Sequence, residues 1–226
     1  MNREEFLKTF PQLVESYQPS PETLDRIKNV CFLIVIGPSG VGKSSIIDRL
    51  GLHFVASDTT RAARPEETDG KNMFFLTDYD QVIADIKAGK FLQIAVGPGG
   101  DFYATRAESY PKEGWVTAPI VADVVPRVRN LGFKQTLSVF ITPPTYDEWM
   151  RRMGSHLQVG EQLQKRLAEA KRSLSFALSD SDTHFIFNDS LEIALAQVKN
   201  LLAGQVDQEL EAKARKAAEQ ILDKIK

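Results

Sequence analysis

Residues 36–45 read IGPSGVGKSS. Gly37, Pro38, Ser39, Gly40, Val41, Gly42, Lys43 and Ser44 fit the pattern G-x-x-x-x-G-K-[ST], with Ser45 directly after. Glycines without Cβ atoms let backbone N–H groups converge on phosphate oxygens. A lysine at this spacing reaches the outer phosphates, and the hydroxyl after it can ligate Mg2+. At ordinary glycine frequency, a chance match in a chain of this length is on the order of one in a hundred. The flanks agree. VCFLIVI, 30–36, is short, β-branched and apolar on both faces, as a central parallel strand is. SSIIDRL, 44–50, opens a helix whose positive end adds to the anion site.

Around this unit, strand and helix signals alternate. Residues 1–29 suggest two short helices broken at YQPSP, with Ser20 as a cap and Pro21 at the next helical position. MFFLT (73–77), FLQIAV (91–96) and FYAT (102–105) read as short strands. DYDQVIADIKAG between the first two predicts a helix capped by Asp78, striped by Val82, Ile83 and Ile86, and stopped at Gly89. WVTAPIV and TLSVFITP are two more core strands, separated by a helix-like stretch that contains Pro126. Thr145 and Glu148 form a T-x-x-E capping box before YDEWMRRM. Residues 161–178 are strongly helical, with Leu163, Leu167, Ala170 and Leu174 on one face, and THFIFN is a last strand. The tail from Ser190 is helical to the end, interrupted at Gly204. Together these give an α/β sandwich around a parallel sheet.

The composition of the 226 residues, 42% hydrophobic and 26% charged, is that of an ordinary globular protein. With 28 basic and 30 acidic side chains the net charge is −2, so no polyanion such as nucleic acid is implied and any anion site must be local. The single cysteine, Cys31, excludes an internal disulfide and reads as a buried thiol within VCFLIVI. No apolar run approaches the ~20 residues that span a bilayer, and MNREEFLKTF lacks the apolar core of a secretory signal. A cytoplasmic protein without membrane partners is expected. His53, His156 and His184 are scattered and suggest no metal site, while Phe74 and Phe75 are expected in a core.

Beyond the cradle stands SDTTRAARPEETDGKNMFFLT, 57–77, with Arg61 and Arg64 three apart among hydroxyls. Guanidinium forks match phosphate geometry, although such a stretch alone could be a solvated loop. GPSGVGKSS followed by S-D-T-T-R-x-x-R-P-x-E-x-D-G-x-x-x-F-F resembles the guanylate kinase family. FLQIAV, FYAT, VFITPP, QKRL and FND follow in the family's order, from about 31 to 203. The resemblance implies a P-loop NTPase three-layer sandwich with a parallel sheet, a small mixed β acceptor-binding insert and a lid. It implies a core from 30–57, 106–149 and 166–203, an insert at 58–105 and a lid at 150–165. Segments 1–29 and 204–226 would be helical extensions. The donor would be ATP with Mg2+, on Lys43 and Ser44. The acceptor would be a nucleoside monophosphate, its phosphate on Arg61, Arg64 and Tyr103 and its base near Ser57, Gln93 and Thr105. Arg151 and Arg166 would be the lid cations that join Lys43 in catalysis.

Several family positions are altered. The base-reading glutamate is Gln93, and a tyrosine that helps hold the acceptor phosphate is Met73. An L-D-I-D stretch aligns with Thr117, Ala118, Pro119 and Ile120, and a second lid arginine aligns with Ser155. The donor machinery is intact and the base-reading set is depleted. Three readings remain open: a monophosphate kinase of relaxed base preference, a sugar-phosphate phosphotransferase, and a silent binding module. The tail carries an apolar stripe at Val206, Leu210, Ala214, Ala217, Ile221 and Ile225. It would serve either as a strap on the chain's own core or as a homodimer helix.

Overall fold

The computed structural model describes residues 1–63, 67–71, 73–97, 100–154 and 160–225, without the side chains of 161 and 162. In chain order the elements are α1 (Arg3–Thr9), α2 (Pro11–Val14), α3 (Pro21–Asp25), β1 (Val30–Ile36), α4 (Lys43–Leu50), β2 (His53–Phe54), β3 (Ser57–Thr59) and β4 (Met73–Phe75). Next come α5 (Tyr79–Lys87), β5 (Phe91–Val96), β6 (Phe102–Arg106), β7 (Gly114–Pro119), α6 (Val125–Arg129) and β8 (Gln135–Thr142). The last are α7 (Tyr146–Gly154), α8 (Glu161–Ser179), β9 (Thr183–Phe187), α9 (Leu191–Leu202) and α10 (Gln208–Lys224). One sheet has the order β2-β7-β1-β8-β9, and a second has the order β4-β3-β6-β5. In the first, β8 and β9 pair in parallel from Ser138↔Thr183 to Thr142↔Phe187. The second is mixed: β3 runs parallel to β4 and antiparallel to β6, which is antiparallel to β5. This is the α/β fold with a parallel sheet and a small mixed sheet expected from the sequence.

The chain divides into two compact units, 1–32 with 53–116 and 124–136, and 33–52 with 117–123 and 137–226. In the first unit the core is aromatic. Phe6 and Phe10 stack at 5.0 Å, and Phe102 meets Phe10 at 5.5 Å and Phe91 at 5.4 Å, with Ile94 and Ala104 in the same cluster. The N-terminal helices thus pack on one face of the four-stranded sheet. Asn2 starts α1 with a reciprocal capping box to Glu5, a signal not noticed in the sequence. Ser20 caps α3 as expected, with Pro21 in its first turn. Phe74 and Phe75 are only half-buried on β4, whose outer flank is met only by the short segment at Asp69 and Gly70, so they do not form the core expected of them. The short strands β2 and β3 carry too few residues to show a period and went unnoticed.

In the second unit β1 is apolar throughout and Cys31 is buried, as its run implies. The helix α10 packs along β9 and α8. Glu211 accepts from the Phe185 N–H (3.2 Å) and meets His184 Nδ1 (3.0 Å), which occupies a backbone donor on an edge strand. Ala214, Ala217 and Ile221 of the tail's stripe are buried in the same chain. A dimer helix needs that face turned outward, and only Val206 of the stripe remains strongly exposed. At α7 half of the expected capping box forms: Glu148 N–H donates to Thr145 Oγ1 at 3.1 Å. The Glu148 carboxylate turns to Arg151 and Arg152 instead of closing the box.

Candidate active site

The cradle occupies the turn between β1 and α4. Gly42 takes φ 95 and begins α4 without a side-chain cap, which leaves the first-turn N–H groups to an outside acceptor. A Cβ at Gly42 would lie 2.7 Å from Asn188 Nδ2. That amide donates to Val41 O at 2.7 Å, so glycine permits the close support the loop needs. Trp149, fully buried in α7, donates from Nε1 to Ser39 O at 2.9 Å. Lys43 Nζ donates to Gly37 O (2.5 Å) and Pro38 O (2.8 Å), which folds its charge over the loop. Ser44 and Ser45 are exposed at the helix start.

Glu169 of α8 enters this site from the side. Burial lifts its carboxyl above the ordinary value, against Lys43, Arg166, Arg172 and a hydrogen bond from Ser39. One of its oxygens is buried without a hydrogen-bond partner. Lys43 and Arg166 therefore both act on one carboxylate. Arg151 is placed differently: its side chain is 74% exposed and forks onto Glu148 of its own helix at 2.7 Å. That contact pulls the Glu148 carboxyl down to about 2, with Arg152 as the second cause. Ser155, His156 and the rest of 155–159 in the expected lid lie outside the described residues.

In the first unit, β3, β6 and β5 place the residues expected at the acceptor base. Gln93 stands opposite Thr105, and the β3–β6 register, with Asp58 opposite Ala104, carries Ser57 to the same row. Ser57, Thr105 and Gln93 therefore share one face of the sheet, while Ile94 and Ala104 face the core. All three row members are buried. Thr105 Oγ1 pairs with Tyr110 Oη at 3.1 Å, and burial keeps that phenol well above its ordinary pKa and hence neutral. The Gln93 carboxamide oxygen is buried with no donor.

Arg61 and Tyr103 meet, Nε donating to Oη at 2.9 Å. Glu67 takes the fork of Arg61 through both oxygens, and the Met73 sulfur accepts at 3.2 Å. Glu67 first, then Tyr103, holds the Arg61 guanidinium above its already high ordinary value. Arg64 lies outside the described residues. Sequence reasoning quoted Glu67 but gave it no role; its spacing from Arg61 was the available signal. It also missed the Arg106 network, in which Nε donates to Asp58 (2.9 Å) and Nη1 to Asp85 (2.8 Å) over the Phe91 ring. Trp149, Asn188 and Glu169 were missed because their partners are distant in sequence.

Among the described residues no three His, Cys, Asp or Glu side chains gather as a metal cluster. The Ser44 hydroxyl alone suits a hydrated Mg2+ that arrives on phosphates, since Mg2+ keeps waters and takes few protein ligands. Among the described residues no helix is long and apolar enough to cross a membrane.

The guanylate kinase family profile matches residues 30–205. A guanylate kinase of Corynebacterium efficiens is 30% identical over 182 residues, covering 76% of this chain and 94% of that one. One from Bifidobacterium longum is 32% identical over 184 residues, covering 76% and 92%. Guanylate kinase 1 of Oryza sativa subsp. japonica is 31% identical over 188 residues; the match takes 78% of this chain and spans about half, 49%, of the rice protein. The crystal structure of guanylate kinase from Anaplasma phagocytophilum superposes with a TM-score of 0.57 at 20% identity, over 84% of this chain and 93% of that one, a likeness of fold.

Proposed function

The chain belongs to the guanylate kinase family, and from that premise we propose that it is an ATP-dependent nucleoside monophosphate kinase with relaxed preference for guanine. The observation that carries the reading is the intact cradle: an uncapped α4 N-terminus with Lys43 folded over its loop. A silent binding module has no need to keep either. An oxygen of the acceptor phosphate attacks the γ-phosphorus, the bond to the β–γ bridging oxygen breaks, and ADP leaves. The backbone N–H groups of 37–45 hold the donor phosphates, and Lys43 leaves Gly37 O and Pro38 O to follow the charge that moves to the leaving oxygen. Ser44 would hold a Mg2+ ion that arrives with ATP, which would supply neutralisation of phosphate charge. Arg61, Arg64 and Tyr103 hold the acceptor phosphate. Arg151 and Arg166 supply positive charge on closure, which also excludes water from the transferred group.

Base preference rests on Gln93. Guanine presents two adjacent donors, which a carboxylate accepts together; a carboxamide offers one acceptor and one donor. That set can pair with the N1 and N6–H2 edge of adenine. Gln93→Glu is expected to raise the GMP to AMP ratio of kcat/KM at least tenfold, about 1.4 kcal/mol. An unchanged ratio would place the base elsewhere or leave the acceptor without one, which favours a sugar phosphate.

A further inference from the structure

The loop between β1 and α4 is held by donors from elsewhere in the second unit. Trp149 Nε1 of α7 donates to Ser39 O at 2.9 Å, and Asn188 Nδ2, just past β9, donates to Val41 O at 2.7 Å. The two supports are tied together: Arg152 of α7 donates to Asn188 O at 2.9 Å and to Asp189 O at 3.2 Å. One turn after Trp149, Met153 is buried against the loop, and a Cβ at Gly40 would lie 2.4 Å from Met153 Cγ. Trp149 is fully buried, with the Tyr146 ring edge-on to it at 6.0 Å. An indole N–H can only donate, and a buried one normally finds an acceptor. Here that acceptor is the loop itself.

What these donors fix is the orientation of two peptide groups. A planar trans peptide points its C=O and its N–H to opposite sides. Ser39 O on Trp149 therefore turns the Gly40 N–H away from the indole, and Val41 O on Asn188 turns the Gly42 N–H away from that amide. Gly40 and Gly42 take φ of +82 and +95. A peptide flips by rotating ψ of the residue before it and φ of the residue after it, and glycine accepts either sign of φ at little cost. The glycines that open the loop to phosphate thus leave both peptide planes to be set from outside. Converging N–H groups make an anion nest. A flipped Ser39–Gly40 peptide would present a carbonyl oxygen to the phosphates in place of an N–H.

We propose that Trp149 is a positioning residue for the donor: its indole N–H locks the Ser39–Gly40 peptide with the Gly40 N–H toward the phosphates of ATP. The proposal rests on the kinase reading, in which this loop holds the donor. A packing role alone would act on stability and leave the affinity for both substrates where it is.

The test compares the KM for ATP, the KM for GMP and the dissociation constant of ADP in the full chain, with thermal unfolding as a check on folding. Trp149→Phe keeps an aromatic ring in the core and removes the N–H. It is expected to raise the KM for ATP and the dissociation constant of ADP about threefold or more, with the KM for GMP unchanged. Where Trp149→Phe does not fold, the indole is exchanged for benzothiophene, which puts sulfur in place of the N–H and keeps the two-ring shape; the same expectation applies. A folded variant with wild-type ATP and ADP affinity, or with the KM for GMP raised as much as that for ATP, overturns the proposal. The kinase reading then still stands, provided the wild type phosphorylates GMP in the same assay. A wild type that transfers no phosphoryl group from ATP to any nucleoside monophosphate overturns this proposal and the kinase reading together.

Discussion

Removing Arg61 separates what this residue does for the fold from what it does for the acceptor. Its Nε donates to Tyr103, Nη1 to Ala62 O and Glu67, and Nη2 to Glu67 and the Met73 sulfur. The two charged side chains are 13% and 12% exposed, so water screens the pair weakly and the low figure for surface ion pairs does not apply. A hydrogen bond to a charged group contributes about 1.5–3 kcal/mol. Arg61→Ala is therefore expected to lower the unfolding free energy by about 2–3 kcal/mol, because Glu67 keeps its charge and loses its fork. The acceptor phosphate loses a bond of the same class, which raises its KM about 10- to 150-fold with little change in the KM for ATP. Adding Glu67→Gln removes the charge that Arg61 had paired and should return part of the lost stability, without restoring the acceptor KM. Urea unfolding and coupled ADP release measure the two effects on the same preparations. A double variant that recovers acceptor KM along with stability would show that Arg61 acts only through local folding. A rise in donor KM alone would mean the two phosphate sites have been assigned in reverse.

Lys43→Ala is expected to lower turnover by about two orders of magnitude or more while the unfolding transition stays near wild type, since the lysine is no core residue; unchanged turnover would remove the cradle from the chemistry. Arg106, Lys90 and Gln81 hold the Asp85 carboxyl below its ordinary value although burial pushes it up. Its contribution is therefore present above the unfolded pKa and lost as pH falls through the lower folded one. Asp85→Asn should cost about 1–3 kcal/mol at pH 7, and the gap from wild type should close below about pH 3–4; a gap constant with pH would deny the charge its part. Deleting 205–226 should lower the unfolding midpoint, because it bares β9 and the face under Ala214 and Ile221. The full chain should run as a monomer in a solution mass measurement, and a dimer would give α10 a second role.

The parts of the fold legible in sequence were those whose signal is local. β1, the glycine turn and α4 announce themselves within twenty-one residues, since strand composition, the missing Cβ atoms and helix propensity all act at short range. Ser20 and Asp78 are caps that bond three residues ahead. What was illegible depends on partners far along the chain. Nothing near Phe6 or Phe10 says that they pack on Phe102, and nothing near Glu169 points to Lys43. Glu148 shows how local rules compete: its spacing from Thr145 suits a capping box, and two arginines on its own helix take its carboxylate instead. For the tail, an apolar stripe at helical spacing looks the same whether it meets another copy or its own chain; the structure shows α10 against its own β9 and α8.

The central claim, transfer of the donor's γ-phosphoryl group to a nucleoside monophosphate, is tested most directly by following that group. The full chain is incubated with Mg2+, ATP labelled at the γ-phosphorus and GMP, and the products are separated. The account predicts label in GDP, with weaker transfer to AMP and none to ribose 5-phosphate. Label confined to inorganic phosphate, or to a ribose phosphate product, would contradict it.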